Sequence, residues 1–207
     1  MISLKMKLPS LFQFRILKQA ITALIKGPYT TRFPKEPHLP FERFRGRPKF
    51  DEENCTGCGA CVEVCPSGAL SMRDAGDKRI LEIRWDICIF CGQCQANCLT
   101  EKGIALSQEF DFATTEKRED LKQEIEKRLV ICGGCGEIIA PYDQILWVAK
   151  RLGPLTFSNP SLMLFYLESQ KLSSGELSTK SGEKEFQRAD RIKILCPRCR
   201  REAVIES

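Results

Sequence analysis

The sequence is short of the residues and motifs on which many enzymes depend. Its 207 residues include one histidine, His38, which stands beside prolines and is therefore expected to be structural or exposed rather than catalytic. Neither a Walker phosphate loop nor a GxGxxG turn is present, and both are typical of nucleotide-binding enzymes. We expect no catalytic centre within the chain and no small-molecule substrate.

Long hydrophobic runs are also missing. The apolar stretch from Leu11 to Ile25 is interrupted by Arg15 and Lys18, so it is too short and too charged for a transmembrane helix. No small-residue cleavage site follows it, as a secretory signal would require. The twelve cysteines are therefore interpreted as metal ligands in a reducing cytoplasm and not as a disulfide framework.

Eight of these cysteines form an internal repeat with a period of 33 residues. The first copy contains Cys55, Cys58, Cys61 and Cys65, and the second contains Cys88, Cys91, Cys94 and Cys98. Three cysteines separated by two residues each can wrap one 4Fe–4S cube, while the fourth ligates the neighbouring cube. The spacing therefore predicts cluster one on Cys55, Cys58, Cys61 and Cys98, and cluster two on Cys88, Cys91, Cys94 and Cys65. Zinc sites or disulfides are the alternatives.

Each copy of the repeat is expected to run as a strand, a ligand loop, a helical turn and a second strand. Residues 80–83 fit a strand that leads into the second copy. Pro66 follows the fourth cysteine of the first copy, whereas Leu99 occupies that place in the second. Because proline fixes φ, its absence is expected to shift the local geometry without removing a ligand.

The other four cysteines form two CxxC pairs. They are Cys132 and Cys135, then Cys196 and Cys199. Two such pairs resemble the knuckles of a zinc ribbon, in which four thiolates close a tetrahedral structural site. A zinc-ribbon-like segment with a long insert is therefore predicted over residues 132–207. A rubredoxin-like iron, a third cluster or disulfides remain alternatives.

The positive charge is concentrated at the N-terminus. Residues 1–50 carry a net charge of +9, whereas residues 51–207 carry −4. Ser10 and Gln13 have the spacing of a capping box, and Gly27 would end the helix that they begin. Its apolar positions share one face, and basic residues surround that face. This pattern favours peripheral contact with a membrane or a membrane subunit over a helix packed on its own core, a disordered tail or a nucleic-acid-binding segment.

The remaining segments complete a four-part organisation. Residues 1–50 are predicted to be the amphipathic arm followed by an extended, proline-rich strap, and residues 51–110 the two-cluster domain. Residues 111–131 are predicted to be a charged linking helix, because Leu121, Ile125 and Leu129 recur at every fourth position. A further helix is predicted from Pro141 to Leu152, and a polar loop over residues 168–190. The fold class is therefore α+β.

Residues 51–107 resemble bacterial-type two-cluster ferredoxins. The order of arm, strap, Phe44-Arg45-Gly46-Arg47-Pro48 and dicluster repeat resembles the ferredoxin-like subunit of complex I and of membrane-bound nickel–iron hydrogenases. The motifs Cys88-Ile89-Phe90-Cys91-Gly92 and Leu106-Ser107-Gln108-Glu109-Phe110, together with the C-terminal CxxC pairs, resemble the formate hydrogenlyase version.

This resemblance implies an electron-transfer subunit on the cytoplasmic side of a membrane complex. The subunit would relay electrons from a formate dehydrogenase or another donor towards a hydrogenase-like large subunit, through a neighbouring small subunit. The alternatives are a complex I-type subunit that feeds quinone reduction, a free dicluster ferredoxin, and a zinc-dependent scaffold whose clusters are structural.

Overall fold

The computed structural model describes residues 14–27, 30–115, 117–172 and 193–205. The chain divides into two units, Met1–Phe41 and Glu42–Ser207. In the first unit, helix α1 (Phe14–Lys26) ends at Gly27 as predicted, and the Gly27 backbone takes a φ of 74°. The predicted capping box lies outside the described residues.

In the second unit, the described residues form eleven further strands and helices. In chain order they are β1 (Pro48–Phe50), α2 (Ala60–Glu63), β2 (Leu70–Ala75), β3 (Lys78–Arg84), α3 (Gln93–Ala96), β4 (Ile104–Leu106), β5 (Lys122–Ile131), β6 (Ile138–Pro141), α4 (Tyr142–Leu152), α5 (Pro160–Ser169) and α6 (Pro197–Ile205). Short 3-10 segments precede β5, at Arg118–Asp120, and follow α4, at Gly153–Ser158. The predicted mixture of helix and sheet is confirmed.

The two copies of the repeat have the predicted order of elements and are interlocked. The first copy runs through β1, a ligand loop, α2 and β2, and the second runs through β3, a ligand loop, α3 and β4. The first strand of one copy pairs antiparallel with the last strand of the other, so that Phe50 lies opposite Ile104. Strands β2 and β3 also pair antiparallel, with Leu70 opposite Ile83.

One hydrophobic core lies between the copies and includes part of both cysteine motifs. Its buried members are Phe50, Cys55, Cys61, Leu70, Leu81, Ile83, Cys94, Ile104 and Ile125. The side chain of Gln123 joins β1 to β5, because it accepts from the Phe50 amide at 2.9 Å and donates to the Phe50 carbonyl at 3.3 Å. Strand β5 therefore forms part of the frame that holds the ligand loops.

The predicted linking helix over residues 111–131 is wrong. The second half of this segment is the strand β5, which pairs with β3 on one side and β6 on the other. A spacing of four residues keeps Leu121, Ile125 and Leu129 on one face of a helix, but it also keeps them on one face of a strand, whose period is two. The strand forms because the edge of β3 is available for pairing. Pairing there satisfies the backbone hydrogen bonds of β5 and buries Ile125 and Leu129.

The predicted helix after Pro141 is confirmed as α4, and Gly153 ends it with a φ of 56°. Helix α5 was not predicted. Its first turn is capped by Asn159, whose side-chain oxygen accepts from the Leu162 amide at 3.2 Å. Packing of Tyr142 against Phe165, at 4.8 Å between ring centroids, joins α4 to α5. Residues 173–190 of the predicted loop lie outside the described residues.

Residues 44–50 belong to the ferredoxin unit and not to a separate strap. The Gly46 amide donates to the Ser107 carbonyl at 2.9 Å, and the Trp85 indole donates to the Pro48 carbonyl at 2.7 Å. The zinc-ribbon-like architecture is not confirmed, since the second CxxC pair opens helix α6. No helix in the described part of the chain combines the length and apolarity required to span a membrane.

Candidate metal centres

The two ligand loops have the same backbone conformation. Three positions in each copy have a positive φ, and they are 33 residues apart: Gly57 and Phe90 (71° and 52°), Gly59 and Gly92 (80° and 79°), Gly68 and Glu101 (64° and 63°). Left-handed backbone is rare outside glycine. Phe90 adopts it while stacking on Phe112, with 5.4 Å between ring centroids. The loop geometry therefore overrides the local preference of the residue.

The eight cysteines surround two small cavities. Cys55, Cys58, Cys61 and Cys98 line one of them, together with Phe50, Leu81 and Ile104. Cys65, Cys88, Cys91 and Cys94 line the other. Each cavity thus receives three thiols from one motif and one from the other, which is the grouping that the spacing predicts. The binding of a given cysteine to a given cluster stays a prediction.

Close packing fixes the shape of the first ligand loop. A Cβ atom placed on Gly103 would lie 3.0 Å from the Cα of Cys55, and one placed on Gly59 would lie 2.8 Å from the sulfur of Met72. These glycines leave just enough room for the loop to approach its neighbours. The backbone at Gly59 and Gly103 therefore shapes the cavity, and a side chain at either position would displace it.

Several thiolates buried together require a compensating cation. Burial, with contributions from the neighbouring thiolates of Cys55 and Cys58, raises the pKa of Cys61 to about 12. Burial likewise raises the pKa of Cys94 to about 11, with contributions from Cys88 and Cys91. Four thiolates become stable in such a place when iron supplies positive charge. The donor set therefore fits a 4Fe–4S cluster in each cavity.

The two exchanged cysteines receive more hydrogen bonds. Burial raises the pKa of the Cys65 and Cys98 thiols, but hydrogen bonds from nearby hydroxyl and amide groups outweigh it, so that both pKa values are lowered. The hydroxyls belong to Ser67, 3.7 Å from the Cys65 sulfur, and Thr100, 3.5 Å from the Cys98 sulfur. Hydrogen bonds to cluster sulfurs are one way in which proteins tune potential.

Sequence reasoning missed these two hydroxyl residues. The signal was available, because Ser67 and Thr100 occupy equivalent positions of the repeat, two residues after the fourth cysteine of each copy. Thr100 also accepts from the Gly103 amide at 3.0 Å and donates to the Asn54 carbonyl at 2.8 Å. It therefore links the end of the second motif to the start of the first.

Among the described residues, three basic side chains also contact the ligand loops or the peptide that leads into them, and the cysteine motifs do not predict them. Arg45 donates to the Cys91 carbonyl at 3.2 Å, and Arg79 donates to the Gly57 carbonyl at 3.3 Å. Lys127, on β5, donates to the Glu52 carbonyl. They come from segments outside the motifs, so only the folded chain brings them to the loops.

The remaining four cysteines form a separate group. The sulfurs of Cys132, Cys135, Cys196 and Cys199 all lie within 4.8 Å of one another. The amides of Cys196 and Gly134 donate to the Cys132 sulfur at 3.2 and 3.4 Å. Burial raises the pKa of Cys132, but these amides and that of Cys135 lower it to about 7. Four clustered thiols with amide donors suit a closed tetrahedral metal site.

Helices of the insert support this four-cysteine site. The Ser161 hydroxyl of α5 accepts from the Leu195 amide at 3.1 Å and lies 3.2 Å from the Leu195 carbonyl, next to the second CxxC pair. The Cys132 amide donates to the Glu137 carbonyl at 2.8 Å, which closes the first knuckle between β5 and β6. The long gap between the pairs is thus partly filled by α4 and α5.

The repeat and a larger part of the chain are similar to known proteins. Residues 54–102 match the family described as the 4Fe-4S dicluster domain. The chain is 36% identical over 135 residues to formate hydrogenlyase subunit 6 of Escherichia coli strain K12, an alignment that covers 64% of this chain and 72% of that one. The chain belongs to the formate hydrogenlyase subunit 6 family. The resemblance predicted from the sequence, and a two-cluster iron–sulfur domain, are therefore confirmed.

More distant similarity extends beyond this subunit 6 family. The chain is 31% identical over 101 residues to NAD(P)H-quinone oxidoreductase subunit I of Gloeobacter violaceus, covering 45% of this chain and 48% of that one. It thus spans about half the length of that relative. A chain of the membrane-bound sulfane sulfur reductase, an archaeal respiratory membrane complex, superposes with a TM-score of 0.39 and 25% identity, covering 58% of this chain and 66% of that one.

Alanine variants of this chain test whether each cysteine motif supplies one ligand to the other motif's cluster. Because Cys65 lines the second cavity, Cys65→Ala is expected to lose the same cluster as Cys91→Ala. Because Cys98 lines the first, Cys98→Ala is expected to match Cys58→Ala. EPR spectra of the reduced, anaerobic proteins would distinguish the two patterns. If Cys65→Ala instead matched Cys58→Ala, each motif would bind its own cluster and the assignment would be wrong.

Proposed function

We propose that this protein is the electron-transfer iron–sulfur subunit of a membrane-attached formate hydrogenlyase or nickel–iron hydrogenase complex. The observation that carries the proposal is the pair of four-thiol cavities, which share ligand loops and one hydrophobic core. Two centres joined in this way lie next to each other, which is the arrangement that a relay needs. The chemistry that 4Fe–4S clusters supply when bound is one-electron transfer.

The chain's own residues bind and shield these centres. Eight thiolates hold them, and Ser67 and Thr100 place hydroxyls beside the exchanged sulfurs. Leu81 and Ile104 are fully buried beside the first cavity, so they exclude water from that side and lower the local dielectric. Exposure and hydrogen bonding together set the potential at which each centre works.

Membership of a larger assembly would explain why the N-terminal arm contains an exposed amphipathic helix. A free dicluster carrier requires no amphipathic helix, yet α1 presents Phe14, Leu24 and Ile25 to solvent at 80% exposure or more. The neighbouring partner would be a hydrogenase-like small subunit, and the contact with the membrane would be peripheral, on the cytoplasmic side. Nucleic acid is not proposed as a partner.

A complex I-type subunit that feeds quinone reduction is the second candidate. It is supported by the 31% identity to NAD(P)H-quinone oxidoreductase subunit I. The longer alignment with formate hydrogenlyase subunit 6, 135 residues against 101, favours the hydrogenase-type assignment.

The relay is tested in the purified complex. Cys91→Ala is expected to abolish electron transfer from the natural donor to the terminal acceptor, because one of the two adjacent centres is lost. Donor oxidation and acceptor reduction with artificial dyes should each continue, since neither half-reaction needs the relay. Undiminished donor-to-acceptor turnover in a variant shown by EPR to lack that cluster would exclude the proposed role.

The four-cysteine site is assigned to structural zinc. Four clustered thiols without an open position match the closed tetrahedral sites that zinc forms with cysteine. Such a metal would tie the first knuckle, between β5 and β6, to helix α6, and its binding free energy would contribute to folding.

Metal analysis tests the zinc assignment. The native chain is expected to contain one zinc and about eight irons. Cys196→Ala should lose the zinc and lower the thermal unfolding midpoint, because the tie between the two knuckles is removed, while the iron content stays near eight. Zinc content unchanged by this substitution, or iron in place of zinc at the site, would contradict the assignment.

The arm is assigned to peripheral docking. Helix α1 has no buried residue, its apolar side chains share one face, and Arg15, Lys18 and Lys26 lie around that face. Apolar side chains with basic neighbours suit an anionic membrane surface or the membrane subunits of a complex.

Truncation tests the docking role. Deletion of residues 1–41, which removes the first unit and leaves β1 intact, is expected to move the subunit from the membrane fraction to the soluble fraction. The double substitution Leu17→Gln, Ile21→Gln should act in the same direction without shortening the chain. Iron content provides the control, because the cluster ligands are unaffected. Full membrane recovery of the truncated chain would refute the docking role.

A further inference from the structure

Lys127 is a buried lysine that packs against the first ligand loop. It lies on β5 between Ile125 and Leu129, on the inward face of the strand, and 8% of its surface is exposed. Lysine is almost never buried to this extent without a partner. The burial of Lys127 therefore needs a structural explanation, whereas an exposed lysine would need none.

The Lys127 ammonium group bridges two parts of the fold. It donates to the Glu52 carbonyl, three residues before Cys55, and to the Asp143 carboxylate at 2.9 Å in the first turn of α4. The Cys55 amide in turn donates to the Asp51 carbonyl at 2.9 Å. The ammonium thus holds the peptide that leads into the ligand loop of cluster one.

The aliphatic stem of Lys127 contacts the same loop. A Cβ atom built on Gly57, between Cys55 and Cys58, would lie 3.0 Å from the Lys127 Cγ atom. The positive charge of Lys127 also acts on Cys55: burial raises the pKa of that thiol, and the charge of Lys127 lowers it. Lys127 therefore lies beside cluster one both in space and electrostatically.

The other basic residues at the loops are neutralised or exposed. Arg79 forms two hydrogen bonds with the Asp74 carboxylate, at 2.7 and 2.9 Å. Arg45, beside the second centre, is exposed, so water and salt screen its charge. Lys127 differs, because only 9% of its side chain is exposed, whereas 42% of the side chain of its counter-ion, Asp143, is exposed. A solvated counter-ion offsets an enclosed charge incompletely.

We propose that Lys127 is a positioning and tuning residue for the centre formed by Cys55, Cys58, Cys61 and Cys98, raising its reduction potential selectively. The inference rests on the proposed function, since it requires a cluster in that cavity. Reduction adds one electron, supplied by the donor of the relay, and no bond forms or breaks. An enclosed positive charge stabilises the reduced, more negative form. Among the described residues Lys127 is the one buried lysine, and it packs against the first ligand loop and not against the residues that line the second cavity.

Potentiometric titration of the full chain with its clusters, followed by EPR, tests this inference. Lys127→Met is expected to lower the midpoint of cluster one, so that at a fixed potential the ratio of reduced to oxidised cluster falls about three- to tenfold. A tenfold change corresponds to about 59 mV for a one-electron couple. The midpoint of cluster two should not move. The Cys58→Ala and Cys91→Ala spectra assign the two transitions.

Three further variants separate charge from packing. Asp143→Asn removes the counter-ion and is expected to shift the cluster-one midpoint upward, opposite to Lys127→Met. Lys127→Arg keeps the charge and should leave the midpoint near that of the native chain. Lys78→Met is the matched control: Lys78 lies on the adjacent strand β3 and pairs with Glu126 at 2.7 Å in an exposed position, so it should have no effect.

The outcomes are distinguishable. If Lys127→Met failed to fold, an upward shift in Asp143→Asn would still support the tuning role, and its absence would overturn it. Equal shifts of both clusters, or shifts of the same sign in Lys127→Met and Asp143→Asn, would indicate loosened packing and also overturn it. A native chain with no reducible clusters would refute the proposed function, and this inference with it.

Discussion

Each cysteine motif contributes its fourth cysteine to the cavity of the other motif, and the rest of the structure depends on this constraint. Cys65 leaves the first motif to line the second cavity, and Cys98 makes the reverse crossing. Each copy of the repeat must therefore lie against the other, with β1 paired to β4 and β2 paired to β3. Neither four-thiol cavity can form on half of the domain, so the two cavities are built as a unit.

This mutual dependence explains the unusual content of the core. Three of its buried members are cysteines, and they pack beside leucine, isoleucine and phenylalanine. The apolar wall keeps water away from the sulfurs, but it also makes the uncompensated thiolates unfavourable, as the raised pKa values of Cys61 and Cys94 show. The same burial that destabilises the empty site gives the loaded site its low-dielectric surroundings.

The segment after the repeat is more than a connection to the four-cysteine site. Strand β5 extends the sheet of the ferredoxin core and contributes Gln123 to β1 and Lys127 to the first ligand loop. Through Asp143, the same lysine is joined to α4. The core and the C-terminal segment consequently share one strand.

The sequence by itself determined the two motifs, their 33-residue period and the family, because cluster binding imposes a cysteine spacing that is visible without a structure. It also located α1 and α4, whose ends are set by local signals at Gly27 and Gly153. It could not determine β5, since apolar residues at every fourth position suit a helix and a strand equally. Only pairing with β3 decided that, and only folding brought Lys127 to the loop, because an interaction across 75 residues leaves no local pattern.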